Sequence, residues 1–300
     1  MNYQPPRALG LLVGASLTLW ALSIAALLIS FAVASDFDIS AVLAVSGAVA
    51  ATALASLFGY WTYALATMNY ELDRNGLVIH WGVTRQVVPL GDIERLVPGT
   101  SVGVPSVEGV SWLGYHIGRA TIERIGDVLF YTTHQNAEQV LYVMTSERNY
   151  AISVEDPADF AREVQTRQAL GATARVTHHA QRLGSAAQAF WYDPIGRALV
   201  AVAVVATFVM WALVALRYPD LPAAFEIHFP ASTDTNLVDI RTKDALLQLP
   251  RIATLILAIN LVIGFALHAW ERVAGYVLFL AAAAIQLGFA AAIVISLRGV

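Results

Sequence analysis

The side chains that could do chemistry in this chain are few and widely spaced. Asn260 and Gln286 are the notable polar residues near the middle of two long apolar runs. The turn between those runs is short, which makes them antiparallel neighbours and puts the two amides at similar depth. The expected chemistry is a direct hydrogen bond between helices, stabilising by ~0.6–2 kcal/mol. A contact with a substrate or ion is the alternative. A polar stretch further back offers Asp234, Asp239 and Lys243, an example of the acid–base cluster that a membrane enzyme would need, although no spacing rule singles it out. His228 in the same stretch is weighed as a pH-sensing or metal-binding group against a packed or solvated position between Phe225 and Phe229. His178 and His179 adjoin in a polar linker and point different ways, so they are read as solvated rather than as ligands. Only His268 lies in an apolar run, near its end, too little for a bis-histidine haem.

Other chemistry is absent for definite reasons. There is no cysteine, which excludes disulfides, thiolate metal sites and cysteine nucleophiles. Lys243 is the only lysine, so a P-loop lysine or an internal Schiff base is not expected. No zincin or dinucleotide motif occurs. The reading is of a non-enzyme without cofactor or metal. The net charge of −4 gives no basic signal for nucleic acid.

These residues must be positioned by membrane-type elements. The 300-residue chain is 57% hydrophobic and 13% charged, about half the charged share of a globular protein. Five runs can each cross a ~30 Å hydrocarbon layer. They are Ala8–Ala34, Ile39–Met68, Ile195–Leu216, Ile252–Trp270 and Val273–Leu297. The first is read as a retained anchor, its apolar core being too long for a signal peptide despite "AVA" at 32–34. Basic residues at Arg7, across the middle region and at Arg197 favour a cytoplasmic N-terminus and middle region, with an external C-terminus. Tyr60, Trp61, Tyr63, Trp191 and Tyr192 supply interfacial aromatics. Small residues recur every fourth position at Gly47, Ala51, Ala55 and Gly59, and at Ala284, Gly288 and Ala292. Such stripes let helix backbones approach, and packing within this chain is the favoured use over packing on a partner's helix.

The middle region is different. Asn75-Gly76 between β-prone stretches is a strong hairpin signal, both turn positions being expected at positive φ. Leu77, Ile79 and Trp81 alternate with Val78 and His80. Strands are expected near 85–90, 120–124, 128–132, 139–145 and 150–153, with 97–118 a loop or irregular strand. Asp156-Pro157 then opens a helix whose Phe160, Val164 and Leu170 share an apolar face.

"YELDRNGLVIHWG" (70–82), "VVPLGDIERL" (87–96), "VLFYTT" (128–133) and "YAISVEDPADFAREV" (150–164) resemble the bacterial pleckstrin-homology-like domain. That resemblance implies an antiparallel β sandwich or barrel closed by one C-terminal helix, over roughly 68–170. The stretch 221–250 is similar to a membrane domain of unknown function found in toxin-immunity proteins, through Leu221-Pro222, Ile227, His228-Phe229, Lys243 and Leu249-Pro250. The expected architecture is a helical hairpin at 8–68, a PH-like domain at 69–170, a linker at 171–194, and three helices at 195–300 with an external loop at 217–251. The expected location is a bacterial inner membrane. From 69 to 192 the ten Arg are outnumbered by Asp and Glu, and the first turn offers only Arg74 beside Asp73, so phosphoinositide binding is not expected. The expected function is a non-catalytic scaffold, regulator or accessory subunit that contacts the bilayer and other membrane proteins or a second copy. The alternative is a small-molecule or peptide binder, transporter or immunity-type protein using the outer loop and the Asn260/Gln286 level.

Overall fold

The computed structural model describes residues 1–182, 190–228, 238–268 and 271–297. It forms two compact units, residues 1–23 with 52–183, and residues 24–51 with 184–300. Among the described residues, five helices are long and apolar enough to cross a membrane. They are α1 (Ala8–Ala34), α2 (Ile39–Ala66), α5 (Pro194–Arg217), α6 (Gln248–His268) and α7 (Arg272–Leu297).

The first unit contains two open sheets. One runs β1 (Asn2–Tyr3), β2 (Asn69–Leu72), β3 (Gly76–Trp81), β4 (Thr84–Pro89), β11 (His179–Arg182). The other runs β5 (Ile93–Pro98), β9 (Val140–Thr145), β10 (Asn149–Ser153), β8 (Gly126–Thr132), β7 (Tyr115–Ile122), β6 (Glu108–Trp112). This corrects two expectations. The sheets do not close into a barrel, and β10 lies parallel to β8, with Tyr150 opposite Leu129. The β9–β10 hairpin causes this, because its second strand folds back between β9 and β8.

Strand β9 is buried along its whole length, and its alternation explains why. Leu141 and Val143 join a core with Leu72, Leu77, Ile79 and Val88 of the other sheet, whereas Val140 and Tyr142 face a second cluster. That second cluster is roofed by Val102, Val104 and Val107. The stretch expected to be irregular thus contains the short helix α3 (Gly99–Val102), this roof, β6 and the start of β7.

Helix α4 (Pro157–Leu170) starts as its sequence dictates: Asp156 Oδ1 accepts from Ala158 N and Asp159 N at 3.0 and 2.9 Å. Phe160 and Val164 are buried, but Leu170 is exposed, correcting the three-residue face. Phe160 meets the Tyr3 ring edge-on at 5.0 Å.

The first hairpin forms with a different turn from the one expected. Leu72 pairs with Leu77, Asp73 N donates to Gly76 O, and Gly76 is not among the positive-φ glycines. Gly76 is required for space instead: a Cβ there would lie 2.8 Å from Val88 O of β4. The supposed linker also enters the fold. His179–Arg182 pairs with β4, and the His178 Nε2 lies 2.6 Å from the Tyr150 hydroxyl. His178 is therefore packed on the sheet, not solvated, because strand pairing at His179 turns its ring onto Tyr150.

In the second unit, α7 packs on α5 and α6 through Phe279, Ala282, Ala283 and Ile293. The segment after α5 carries a two-stranded hairpin, β12 (Ala224–His228) with β13 (Val238–Thr242). Phe229 and Asp234 lie outside the described residues, and the side chains of His228 and Asp239 are likewise not described.

Candidate functional site

In the first unit the turn of the opening hairpin is occupied by the chain itself. Asp73 Oδ1 accepts from Asn75 N and Gly76 N at 2.7 Å each. Arg74 Nη2 donates to Leu170 O at 3.0 Å. Asn75 Oδ1 accepts from Thr173 N, Thr173 Oγ1 and Ala174 N at 2.9–3.0 Å. A phosphate arriving here would have to break these bonds and would meet Asp73. The net charge of the region and this geometry both disfavour an anion reader.

The same unit joins the sheets to the helix ends. Leu65 and Met68, at and just after the end of α2, are fully buried in the core shared by the sheets, with Leu11 and Trp61 packed against it. The β6–β7 turn meets α1, where Trp112 Nε1 donates to Gly10 O at 3.2 Å. Gly114 has φ +74°, in the left-handed region that glycine adopts without strain. A Cβ on Gly10 would lie only 2.4 Å from Gly114 O. Trp61, Trp112 and Tyr115 pack successively as tilted rings with centroids 6.0 and 4.6 Å apart, and Trp81 Nε1 donates to Tyr115 OH at 2.6 Å. Tyr70 OH donates to Tyr131 O at 2.7 Å and accepts from Ser153 N at 3.2 Å, so both hydrogen-bonding roles of this buried phenol are used.

The sheet of six strands holds a polar pocket of about 380 Å³ beside Ser111, His116, His134 and Gln135. Ser111 and His116 are opposite residues of β6 and β7, with Oγ and Nδ1 2.7 Å apart. His116 and His134 stack at 4.2 Å, and His134 Nδ1 lies 2.9 Å from Thr132 Oγ1. Among the described residues no carboxylate pairs with either ring, so the third member of a serine–histidine nucleophilic site is missing here. Burial and the neighbouring imidazole hold His134 down at about 4, and burial lowers His116 as well. A buried histidine kept neutral binds its proton less well in the folded state than in the unfolded one. Its contribution to stability is therefore complete above ~6.5, the usual histidine value, and is lost as pH falls toward about 4. Thermal unfolding between pH 7 and 4.5 should show a stability slope that flattens in His134→Phe. An unchanged slope would mean that the pair does not titrate this way.

In the second unit the two amides do not pair. Gln286 Nε2 donates to Ala253 O at 2.7 Å, about two helical turns from Asn260, and Gln286 Oε1 has no partner among the described residues. The crossing of α6 and α7 sets this register, so equal distance from a short turn does not give contact. The small-residue stripes also differ from one another. Ala51 and Ala55 are buried, and Gly47 and Gly59 face Leu28 and Thr18 of α1. On α7, Ala284 and Gly288 are exposed, with nothing within 4 Å of a Cβ on Gly288. That corrects the expectation of packing within the chain for the second stripe, because α7 uses the face of Phe279, Ala282, Ala283 and Gln286 instead. Lys243 Nζ sits 4.7 Å from the centre of the Tyr218 ring, whose hydroxyl donates to Asp244. No group of three or more His, Asp or Glu able to hold a metal occurs among the described residues.

His268, too solitary in the sequence for a bis-histidine haem, belongs to a cluster where α5, α6 and α7 meet. His268 is 2% exposed, and its Nε2 lies 3.4 Å from Asp193 Oδ2. Asp193 caps α5, accepting from Ile195 N at 3.0 Å. Burial alone would push the Asp193 carboxyl up, but the Tyr276 hydroxyl, the Gly196 and Ile195 N–H groups and His268 hold it below the usual carboxylate range. Phe190, Tyr276 and Phe279 surround the imidazole with centroids 5.7, 5.7 and 6.1 Å away. A Cβ on Gly275 would lie 2.8 Å from the His268 Cβ, so this glycine makes room for the ring. The signal available in the sequence was that Asp193 and His268 both stand at helix ends.

Residues 68–168 match the family described as a bacterial PH domain. The match includes all the stretches from 70 to 164 on which the resemblance rested and does not reach 221–250. No curated protein and no solved structure matches the chain. The chain therefore contains a bacterial PH domain, built into a protein with five helices long and apolar enough to span a membrane.

Proposed function

We propose that this protein is a non-catalytic membrane scaffold or regulatory subunit of a bacterial inner membrane that works through protein contacts of its PH domain. The observation that carries this reading is the continuous core: Leu65 and Met68 at the end of α2 are buried with Leu77, Ile79 and Tyr150 of the sheets. A domain built this way is held against its helices, and lipid-headgroup binding would add little to its location. The occupied Asp73–Asn75 turn supports the same conclusion. The open edges β5 and β6 provide backbone groups that a partner strand can pair with.

The experiment is gentle detergent extraction of the full chain, followed by co-purification and mass measurement of the complex. The reading expects a stoichiometric partner or a homo-oligomer that is lost when Pro is placed in β5 at Leu96, which lies in the described edge strand. A monodisperse monomer that recovers no partner would count against it.

A further inference from the structure

We propose that the helical unit holds an acyl chain of an anionic phospholipid in a lateral groove lined by α1, α2, α5 and α6, with the lipid phosphate at Arg251. The inference goes beyond the scaffold reading and rests on the five long helices being membrane spans.

The groove has a volume of about 770 Å³, within the usual range for a small-molecule site. Ala41, Val45, Val205, Phe208 and Leu257 give it an apolar wall, and among the described residues Arg251 is the only charged one on its lining. Its threonines and indole are already engaged. Thr207 Oγ1 donates to Ala203 O at 2.8 Å, Thr254 Oγ1 donates to Pro250 O at 2.7 Å, and Trp211 Nε1 donates to Thr254 Oγ1 at 2.9 Å. A polar small molecule would find few groups to bind, whereas a hydrocarbon chain loses nothing by lying there.

The occupant follows from size and charge. A spanning helix is about 10 Å across and 30 Å long, several times the volume of the groove. A neutral lipid would leave Arg251 unanswered: it is exposed, stands in the first turn of α6, and forms no ion pair among the described residues. Phe37, Trp211 and Tyr218 touch edge to face at 6.0 and 5.0 Å beside it. Such aromatic groups collect at the level of lipid headgroups, where a guanidinium meets phosphate. The turn from α1 to α2 and the start of α6 therefore put an apolar slot, and a cation without an ion pair among the described residues, at the depth that an anionic phospholipid spans.

The test uses the full chain in nanodiscs of phosphatidylcholine containing a minor fraction of either phosphatidylglycerol or phosphatidylcholine with brominated acyl chains. The fluorescence share of Trp211 is taken as the difference between the wild type and Trp211→Phe. Brominated phosphatidylglycerol is expected to quench that share at about 5-fold lower mole fraction than brominated phosphatidylcholine, the preference one interfacial cation provides. Arg251→Gln should remove the preference while leaving the phosphatidylcholine response, and Val205→Phe should weaken both by narrowing the slot. Native mass spectrometry should find phosphatidylglycerol retained on the wild type and lost from Arg251→Gln, a readout independent of Trp211. Equal quenching by the two lipids, or a preference that survives Arg251→Gln, would overturn the proposal. Failure of the chain to enter nanodiscs would instead refute the membrane-span reading beneath it.

Discussion

Gly10→Leu is expected to destabilise the first unit by on the order of 3 kcal/mol and to release the β6–β7 turn from α1. The new Cβ would stand 2.4 Å from Gly114 O and 2.8 Å from Leu65 Cδ2. The first of these is backbone, and Gly114 already occupies φ +74°, so neither side yields cheaply. The Trp112 indole would lose its acceptor at Gly10 O, adding about 1 kcal/mol. Thermal unfolding followed by tryptophan fluorescence checks the loss, since Trp61, Trp81 and Trp112 all lie at this junction. Gly91→Ala is the control, because nothing lies within 4 Å of a Cβ there, and it should change stability little.

Asp193→Ala should cost the second unit at least the ~1 kcal/mol of a lost helix cap. Neither ring nitrogen of His268 has a hydrogen-bond partner among the described residues, so any further loss comes from the 3.4 Å contact of Nε2 with the Asp193 carboxylate. Asp193→Asn keeps a capping oxygen and should cost less. If the two groups act as a pair, His268→Phe in the Asp193→Asn background should cost less than in the wild type, with a coupling of about 0.5–3 kcal/mol in a double-mutant cycle. Additive costs would show that Asp193 serves α5 alone. The cluster also explains Gly275, where a side chain would strike the His268 backbone and ring.

What was legible in the sequence was what local rules decide. The helix starts at Asp156-Pro157 and Asp193-Pro194 follow from capping chemistry, and both appear where those residues stand. The alternation at Leu77 and Ile79 placed β3 correctly, since one face of a strand must be buried. Five long apolar helices stand where the five apolar runs lie, although α6 begins at Gln248 rather than Ile252, because length and apolarity alone define such runs. What was not legible depends on partners distant in the chain. Residues 2–3 and 179–182 become strands only because β2 and β4 present open edges to them. Asn75-Gly76 signals a turn, yet the constraint on Gly76 comes from Val88 across the hairpin. Gln286 was assigned to Asn260 by depth, and helix crossing gave it to Ala253. The Asp193–His268 contact joins residues 75 positions apart on separate helices, beyond any spacing rule.

The PH domain and the adjoining helix ends share one core through Leu65, Met68, Ile79 and Tyr150, and this core should hold them at a fixed distance. Because the chain has no cysteine, a pair introduced as Ser56→Cys on α2 and Glu123→Cys beside β7 can be spin-labelled uniquely. Both positions are exposed and both belong to the first unit. Pulsed electron–electron resonance on the membrane-reconstituted protein should give a single narrow distance distribution, broadened when Gly10→Leu is added. A broad or multimodal distribution in the otherwise wild-type chain would show a domain swinging on a tether, with no core shared between the sheets and the helix ends.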